Sequence, residues 1–156
     1  MIYHDIERIV NKIIDDNDIF EAPVNLEKIC QIFNIDVEPI DADDNLSGFF
    51  AIGDNQRKII GYNKSHNENR RRFTIAHELG HFQLHHKPGQ RLFVDHSKKF
   101  FRNEASTTGE IKYEREANAF AAALLMPVSL LENEIKNFGE DGDFNKYIKR
   151  LAAKFR

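Results

Sequence analysis

The chain has 156 residues, of which 41% are hydrophobic and 30% charged, and this is the size and composition of one ordinary globular domain. Four prolines, eight glycines and 11% aromatic residues exclude a disordered or low-complexity chain. The single cysteine excludes an intramolecular disulfide and a cysteine-based zinc finger. Histidine is the unusual residue type, because five of the seven histidines lie between positions 77 and 96.

The net charge of −3 hides a division along the chain. Residues 1–45 hold twelve acids and three bases, whereas residues 46–156 hold thirteen acids and nineteen bases. A basic body fits a nucleic-acid partner, but no nucleic-acid motif accompanies it, and solvated helix faces explain the charges better. We therefore do not expect direct nucleic-acid binding. With no apolar signal core and no run of about 18 apolar residues, we expect a cytoplasmic protein without a membrane partner.

Two helices are predicted at the start of the chain. Apolar residues recur at helical spacing over residues 4–16 and again over residues 25–33, where Asn25 is a candidate N-cap. Cys30 lies in the apolar stripe of the second helix, which indicates a buried structural thiol rather than a reactive one.

Three strands are predicted next. Residues 35–40 alternate between apolar and polar, and the apolar runs 48–52 and 58–62 flank a turn-forming segment, which indicates a hairpin. Residues 48–52 are our candidate for an exposed edge, where a substrate peptide could add as an extended strand.

The remaining pattern is mainly helical. Residues 73–85 are apolar over much of the helix circumference and predict a central, buried helix. A long loop over 86–110, with at most short elements, separates it from further helices, and Phe93, Phe100 and Phe101 in this loop are candidates for a lid or pocket wall. These later helices are expected at 112–126, 128–137 and from 143 to the end.

The central helix carries the letters HELGH at positions 77–81, which is an HExxH motif. Residues i and i+4 of a helix differ by about 40° around the axis and about 6 Å along it, so His77 and His81 present two imidazoles to one point. Two nitrogen ligands in this arrangement suit Zn²⁺. Glu78 lies about 100° around the axis from His77, where it can act as the general base toward a zinc-bound water. Burying these polar groups in an apolar helix without a metal would be costly.

A catalytic zinc takes three protein ligands and leaves one position open. Leu84 and Lys87 stand where a metzincin has glycine and histidine, which excludes that class. Glu114 and Glu116 of the next long helix are both candidates, and we favour Glu114 because it shares a helix stripe with Asn118. Asn118 could hydrogen-bond a ligating histidine. Weaker candidates are His85, His86 and His96.

Three segments together resemble the ImmA/IrrE metallo-endopeptidase family: RFTIAHELGH at 72–81, EREAN at 114–118, and FAAALLMP at 120–127. The resemblance extends over most of the chain. It implies a gluzincin-like zinc protease in which His77, His81 and Glu114 bind Zn²⁺ and Glu78 is the general base. Members are often encoded by phages and other mobile elements beside a helix-turn-helix repressor that they cleave or inactivate. The resemblance therefore implies such a repressor as the protein substrate.

The fold expected from these observations is α+β and zincin-like, with a small mixed or antiparallel sheet of about three strands packed on the central HExxH helix and further helices around it. We expect a single metallopeptidase domain over residues 1–156. It would comprise an N-terminal helical part (1–34), a catalytic core (35–127) and C-terminal helices (128–156). Because similar proteins continue through a further helix, we expect the last part to be truncated or short.

Two questions remain open at the level of sequence. The residue that would stabilise the oxyanion is not ranked among four candidates, which are Tyr62, His85, His96 and Arg115. The alternative function is a non-proteolytic zinc-containing regulator that binds or sequesters a repressor, and a purely structural zinc is a third interpretation. An intact Glu78 favours the enzyme, because a structural site has no use for a base.

Overall fold

The computed structural model describes residues 3–53, 55–85, 92–95, 108–136 and 144–155, and it confirms the α+β class. The helices are α1 (Tyr3–Asp16), α2 (Leu26–Ile32), α3 (Glu68–His85), α4 (Thr108–Leu125), α5 (Val128–Lys136) and α6 (Phe144–Lys154). The strands are β1 (Ile35–Ile40), β2 (Gly48–Ile52), β3 (Lys58–Asn63) and β4 (Leu92–Asp95). None of the helices in these ranges is both long enough and apolar enough to span a membrane.

The sheet is mixed, in the order β1-β3-β2-β4. β1 runs parallel to β3, whereas β2 runs antiparallel to both β3 and β4. The prediction that residues 48–52 form an exposed edge is wrong, because Phe50 pairs with Ile60 on one side and with Phe93 on the other. The cause is β4, which lies within the segment 86–110, where the sequence predicted a long loop with at most short elements.

Local sequence signals account for the starts of α2 and α3. Asn25 caps α2 as predicted, since its side-chain oxygen accepts a hydrogen bond of 2.9 Å from the backbone nitrogen of Lys28. α3 begins five residues before the predicted start at residue 73. Asn67 explains this difference, because its side chain accepts a hydrogen bond of 3.0 Å from the backbone nitrogen of Arg70 and so caps an earlier turn.

The core joins the sheet, α3, α4 and the N-terminal helices. Residues 74–81 of α3 are all buried, as predicted for a central helix. The same core contains inward-facing residues of the sheet, α4 and α1, among them Phe50, Ile60, Phe120, Leu124, Ile6 and Val10. Cys30 is fully buried there, and burial, aided by the negative charge of Glu27, raises the pKa of its thiol to about 12. A thiol in this environment is inert, as expected.

Gly48 provides a test of how β2 packs against α3. A Cβ atom at Gly48 would overlap Thr74 and lie 2.6 Å from the carbonyl oxygen of Gly61. Overpacking costs about 1–3 kcal/mol, so Gly48→Ala should lower the free energy of unfolding by about 2 kcal/mol in urea denaturation. Gly53→Ala is the matched control in the hairpin turn and should cost less than about 0.5 kcal/mol. Equal losses in the two variants would contradict this packing.

Candidate metal centre

Three side chains from two helices converge at the centre of the molecule. His77 and His81 come from α3 and Glu114 comes from α4, and one ligand atom of each lies within 4.8 Å of the others. The Glu114 carboxylate lies 3.3 Å from Nε2 of His77 and 3.1 Å from Nε2 of His81. The two Nε2 atoms are 3.0 Å apart. Both imidazoles therefore direct the same ring nitrogen toward the carboxylate.

The close approach of α3 and α4 depends on Gly80. A Cβ atom at this position would lie 3.1 Å from Cδ1 of Phe120 and 3.2 Å from the Cα and carbonyl oxygen of Ala117. Because two of these atoms belong to the helix backbone, only glycine allows this separation without a shift of α4. This close contact brings Glu114, almost one turn before Ala117, within reach of the histidines.

Asn118 orients the first of the two imidazoles. Nδ1 of His77 lies 3.0 Å from Oδ1 of Asn118. An amide oxygen only accepts hydrogen bonds, so Nδ1 of His77 donates to it, and Nε2 is the ring nitrogen that faces Glu114 and His81. The hydrogen bond predicted from the stripe shared by Glu114 and Asn118 is present, and it fixes the tautomer needed to bind a cation.

The electrostatics of the site favour an ionised Glu114. Burial alone would raise the pKa of this carboxyl group, but hydrogen bonds and charge interactions with His77 and His81 outweigh burial and lower the pKa to about 2. A carboxylate and two imidazoles are a donor set that suits Zn²⁺ and other divalent transition metals. The residues present therefore fit the metal that the motif implies.

The second candidate carboxylate lies elsewhere. Glu116 is buried, and its Oε2 atom lies 3.6 Å from Nε2 of His85. Of the two glutamates that the sequence left open, the structure thus brings Glu114 together with His77 and His81, and places Glu116 against His85. Burial lowers the pKa of His85, and the neighbouring His81 contributes in the same direction.

Glu78 is fully buried, with an exposed fraction of 0%. It follows His77 directly on α3, so its side chain leaves the helix about 100° around the axis from the ligating face. This position beside the donor set, rather than within it, is the one expected for a residue that handles protons.

Five rings form a continuous row through the site. Along α3, the ring centroids are 6.0 Å apart between Phe73 and His77, 4.6 Å between His77 and His81, and 5.8 Å between His81 and His85. Tyr113 of α4 stacks on His85 at 4.3 Å. The sequence analysis did not identify Phe73 or Tyr113 as part of this row. The four rings on α3 recur every four residues from Phe73 to His85, and this spacing is visible in the sequence.

The other sequence candidates lie apart from this cluster or outside the described residues. Tyr62 lines a cavity of about 410 Å³ with Arg72 and Ile75, and this cavity is lined by none of the three donor residues. Arg115 is exposed on α4. His86, His96 and the side chains of the predicted lid, Phe93, Phe100 and Phe101, lie outside the described residues.

Substituting Glu114 and Glu116 separately tests which of the two glutamates is the third zinc ligand. Glu114→Gln should weaken zinc binding by at least about a hundredfold, because outer-shell losses alone reach that size. The matched Glu116→Gln variant should bind zinc within a few-fold of the wild type. Competition against a chromogenic chelator measures both affinities. The reverse order would show that Glu116 is the ligand.

Asn118 provides a test of imidazole orientation. Asn118→Ala removes the acceptor for Nδ1 of His77 and should weaken zinc binding by about 10–100-fold. Asn133→Ala, an exposed asparagine on α5, is the control and should leave the affinity unchanged. Both variants are titrated with zinc in the same chelator competition. Equal affinity in the two proteins would mean that Asn118 does not tune the site.

Comparison with known proteins agrees with this geometry. The chain is 34% identical over 103 residues to "Uncharacterized immunity region protein 2" of Bacillus phage phi105, an alignment that covers 66% of this chain and 59% of the relative. The chain thus spans about three fifths of that relative's length. Residues 30–156, well over half of the chain, match the Peptidase_M78 family, described as the IrrE N-terminal-like domain. The chain therefore belongs to this family of IrrE-like peptidase domains.

Proposed function

We propose that this protein is a zinc-dependent endopeptidase of the cytoplasm that cleaves a helix-turn-helix transcriptional repressor encoded nearby. The observation that carries the proposal is the donor set of His77, His81 and Glu114, with the buried Glu78 next to His77 on α3. Membership of a peptidase family supports a metallopeptidase role.

His77, His81 and Glu114 would hold the metal through two nitrogens and one oxygen. A divalent cation held there supplies Lewis-acid chemistry, because it makes a water molecule more acidic and polarises a peptide carbonyl. Three protein ligands leave a coordination position open, which distinguishes a catalytic site from a structural one. Asn118 keeps the His77 ring in the orientation that the site requires.

Glu78 would move the proton. Its carboxylate accepts a proton from the water that attacks the peptide carbonyl carbon, and then passes this proton to the amide nitrogen that leaves. One residue thus serves first as the general base and then as the general acid, and no other acid is needed for the balance. The full burial of Glu78 keeps bulk water away from the carboxylate.

The choice of substrate rests on two independent hints. The resemblance to the ImmA/IrrE family implies a repressor that is encoded beside the peptidase gene. The relative from Bacillus phage phi105 carries the name of an immunity region protein, which accords with a role in phage repression. The substrate proposed here is therefore a small DNA-binding repressor rather than a broad set of proteins.

Glu78→Gln separates proteolysis from other modes of repressor inactivation. This variant keeps the size of the side chain but removes the base, so it should retain zinc and lose cleavage by at least about 10²-fold. The measurement is cleavage of the repressor encoded by the neighbouring gene, followed on a gel, with zinc content determined by elemental analysis.

Glu132→Gln is the matched control, since Glu132 is an exposed glutamate on α5, and it should cleave like the wild type. Repressor inactivation that persists in Glu78→Gln would contradict the proposal and indicate sequestration instead. A wild-type protein that takes up no metal would also contradict it.

A further inference from the structure

The face of α3 opposite the metal centre lines the cavity of about 410 Å³. Four residues of α3 reach this cavity at the helical spacing i, i+3, i+4 and i+7, and they are Glu68, Arg71, Arg72 and Ile75. At about 100° per residue, each of them leaves the helix at least about 120° around the axis from His77. The segment 23–27 and Tyr62 of β3 complete the lining. The cavity is therefore a site of its own, with the size of a small-molecule pocket.

Two arginines in the wall of this cavity have free hydrogen-bonding capacity. Arg71 and Arg72 are both half-buried, and neither forms an ion pair with any residue that the structure describes. Arg72 donates one hydrogen bond of 3.0 Å to the carbonyl oxygen of Val24. A guanidinium group carries five N–H donors in a planar fork that matches a carboxylate. Several donors of each arginine are therefore available to a ligand.

Partial burial makes an anion the favoured ligand of these arginines. Burial lowers the pKa of Arg72, and the charge of Glu68 offsets part of this effect. A half-buried guanidinium has lost part of its hydration, which charge-assisted hydrogen bonds to an anion replace.

The other charges of the lining limit the charge of such a ligand. Glu27 and Glu68 line the same cavity and are exposed, so two positive and two negative charges are present. A ligand with a single negative charge suits this balance, whereas inorganic phosphate carries more charge and is repelled more strongly by the two glutamates. Pro23, which is exposed, and the half-buried Tyr62 give the wall an apolar part.

We propose that this cavity binds a monocarboxylate, held by the guanidinium groups of Arg71 and Arg72, with the apolar part of the ligand against Pro23 and Tyr62. The carboxylate belongs either to a free organic acid or to the carboxyl terminus of a peptide, since both present the same group to the two arginines. The site is separate from the metal centre, and its occupation does not depend on the proposed peptidase activity.

The test measures binding to the full chain saturated with zinc by isothermal titration calorimetry. The probes are phenylacetate, its neutral analogue phenylacetamide, inorganic phosphate, and acetyl-alanyl-alanyl-phenylalanine with a free carboxyl terminus. The proteins are the wild type, Arg71→Gln, Arg72→Gln and Arg70→Gln. Arg70 is the matched control, because it neighbours the pair but donates a hydrogen bond of 3.1 Å to Ser47 and does not line the cavity. Arg71→Gln keeps the test valid if loss of the contact with Val24 unfolds Arg72→Gln.

The wild type should bind phenylacetate, the peptide or both, and the tighter of the two probes identifies the source of the carboxylate. Arg71→Gln and a folded Arg72→Gln should each weaken this binding by about tenfold, the loss of one charge-assisted hydrogen bond. Arg70→Gln should leave it unchanged.

Four results would overturn the inference. In the wild type they are no binding of either carboxylate, phenylacetamide binding as tightly as phenylacetate, and phosphate binding more tightly than both carboxylates. The fourth is a carboxylate affinity that changes no more in Arg71→Gln than in Arg70→Gln, which would indicate binding at the zinc or attraction by overall charge.

Discussion

The close crossing of α3 and α4 determines the rest of the site, because the donor atoms are divided between these two helices. HExxH alone brings two imidazoles together, but the carboxylate must come from another element. Gly80 removes the side chain that would keep the helices apart, and Ala117 and Phe120 pack into the space. The register of this contact places Glu114 against both Nε2 atoms and Asn118 against Nδ1 of His77. One backbone contact thus assembles the ligands and orients one of them.

The site keeps ionisable side chains inside a core that otherwise consists of apolar residues. Glu78 is fully buried and Glu114 is largely covered, and buried ionisable groups are costly unless they are paired. The histidines hold the pKa of Glu114 at about 2, so the carboxylate stays charged at neutral pH. This cluster of ionisable groups between α3 and α4 is understandable as a site prepared for a cation.

The sequence was sufficient where the signal was local. The spacing of four residues between His77 and His81 and the stripe shared by Glu114 and Asn118 predicted contacts that the structure contains. The sequence was insufficient to predict contacts between residues that lie far apart along the chain. The pairing of β2 with β4 could not be read from four residues inside a mixed segment, and so residues 48–52 were mistaken for an edge. Likewise, Tyr113 joins the row of rings only through the packing of α4 on α3.

We propose that two imidazoles and one carboxylate hold a zinc ion with one position left open. X-ray absorption at the zinc edge of the metal-loaded protein tests it most directly. We expect a four-coordinate shell with two imidazole nitrogens at about 2.0–2.1 Å and two oxygens at about 2.0–2.2 Å. One of these oxygens should come from solvent and exchange for a chelating inhibitor. A zinc shell with only one imidazole would contradict this proposed site. So would a shell of four protein ligands that no inhibitor displaces.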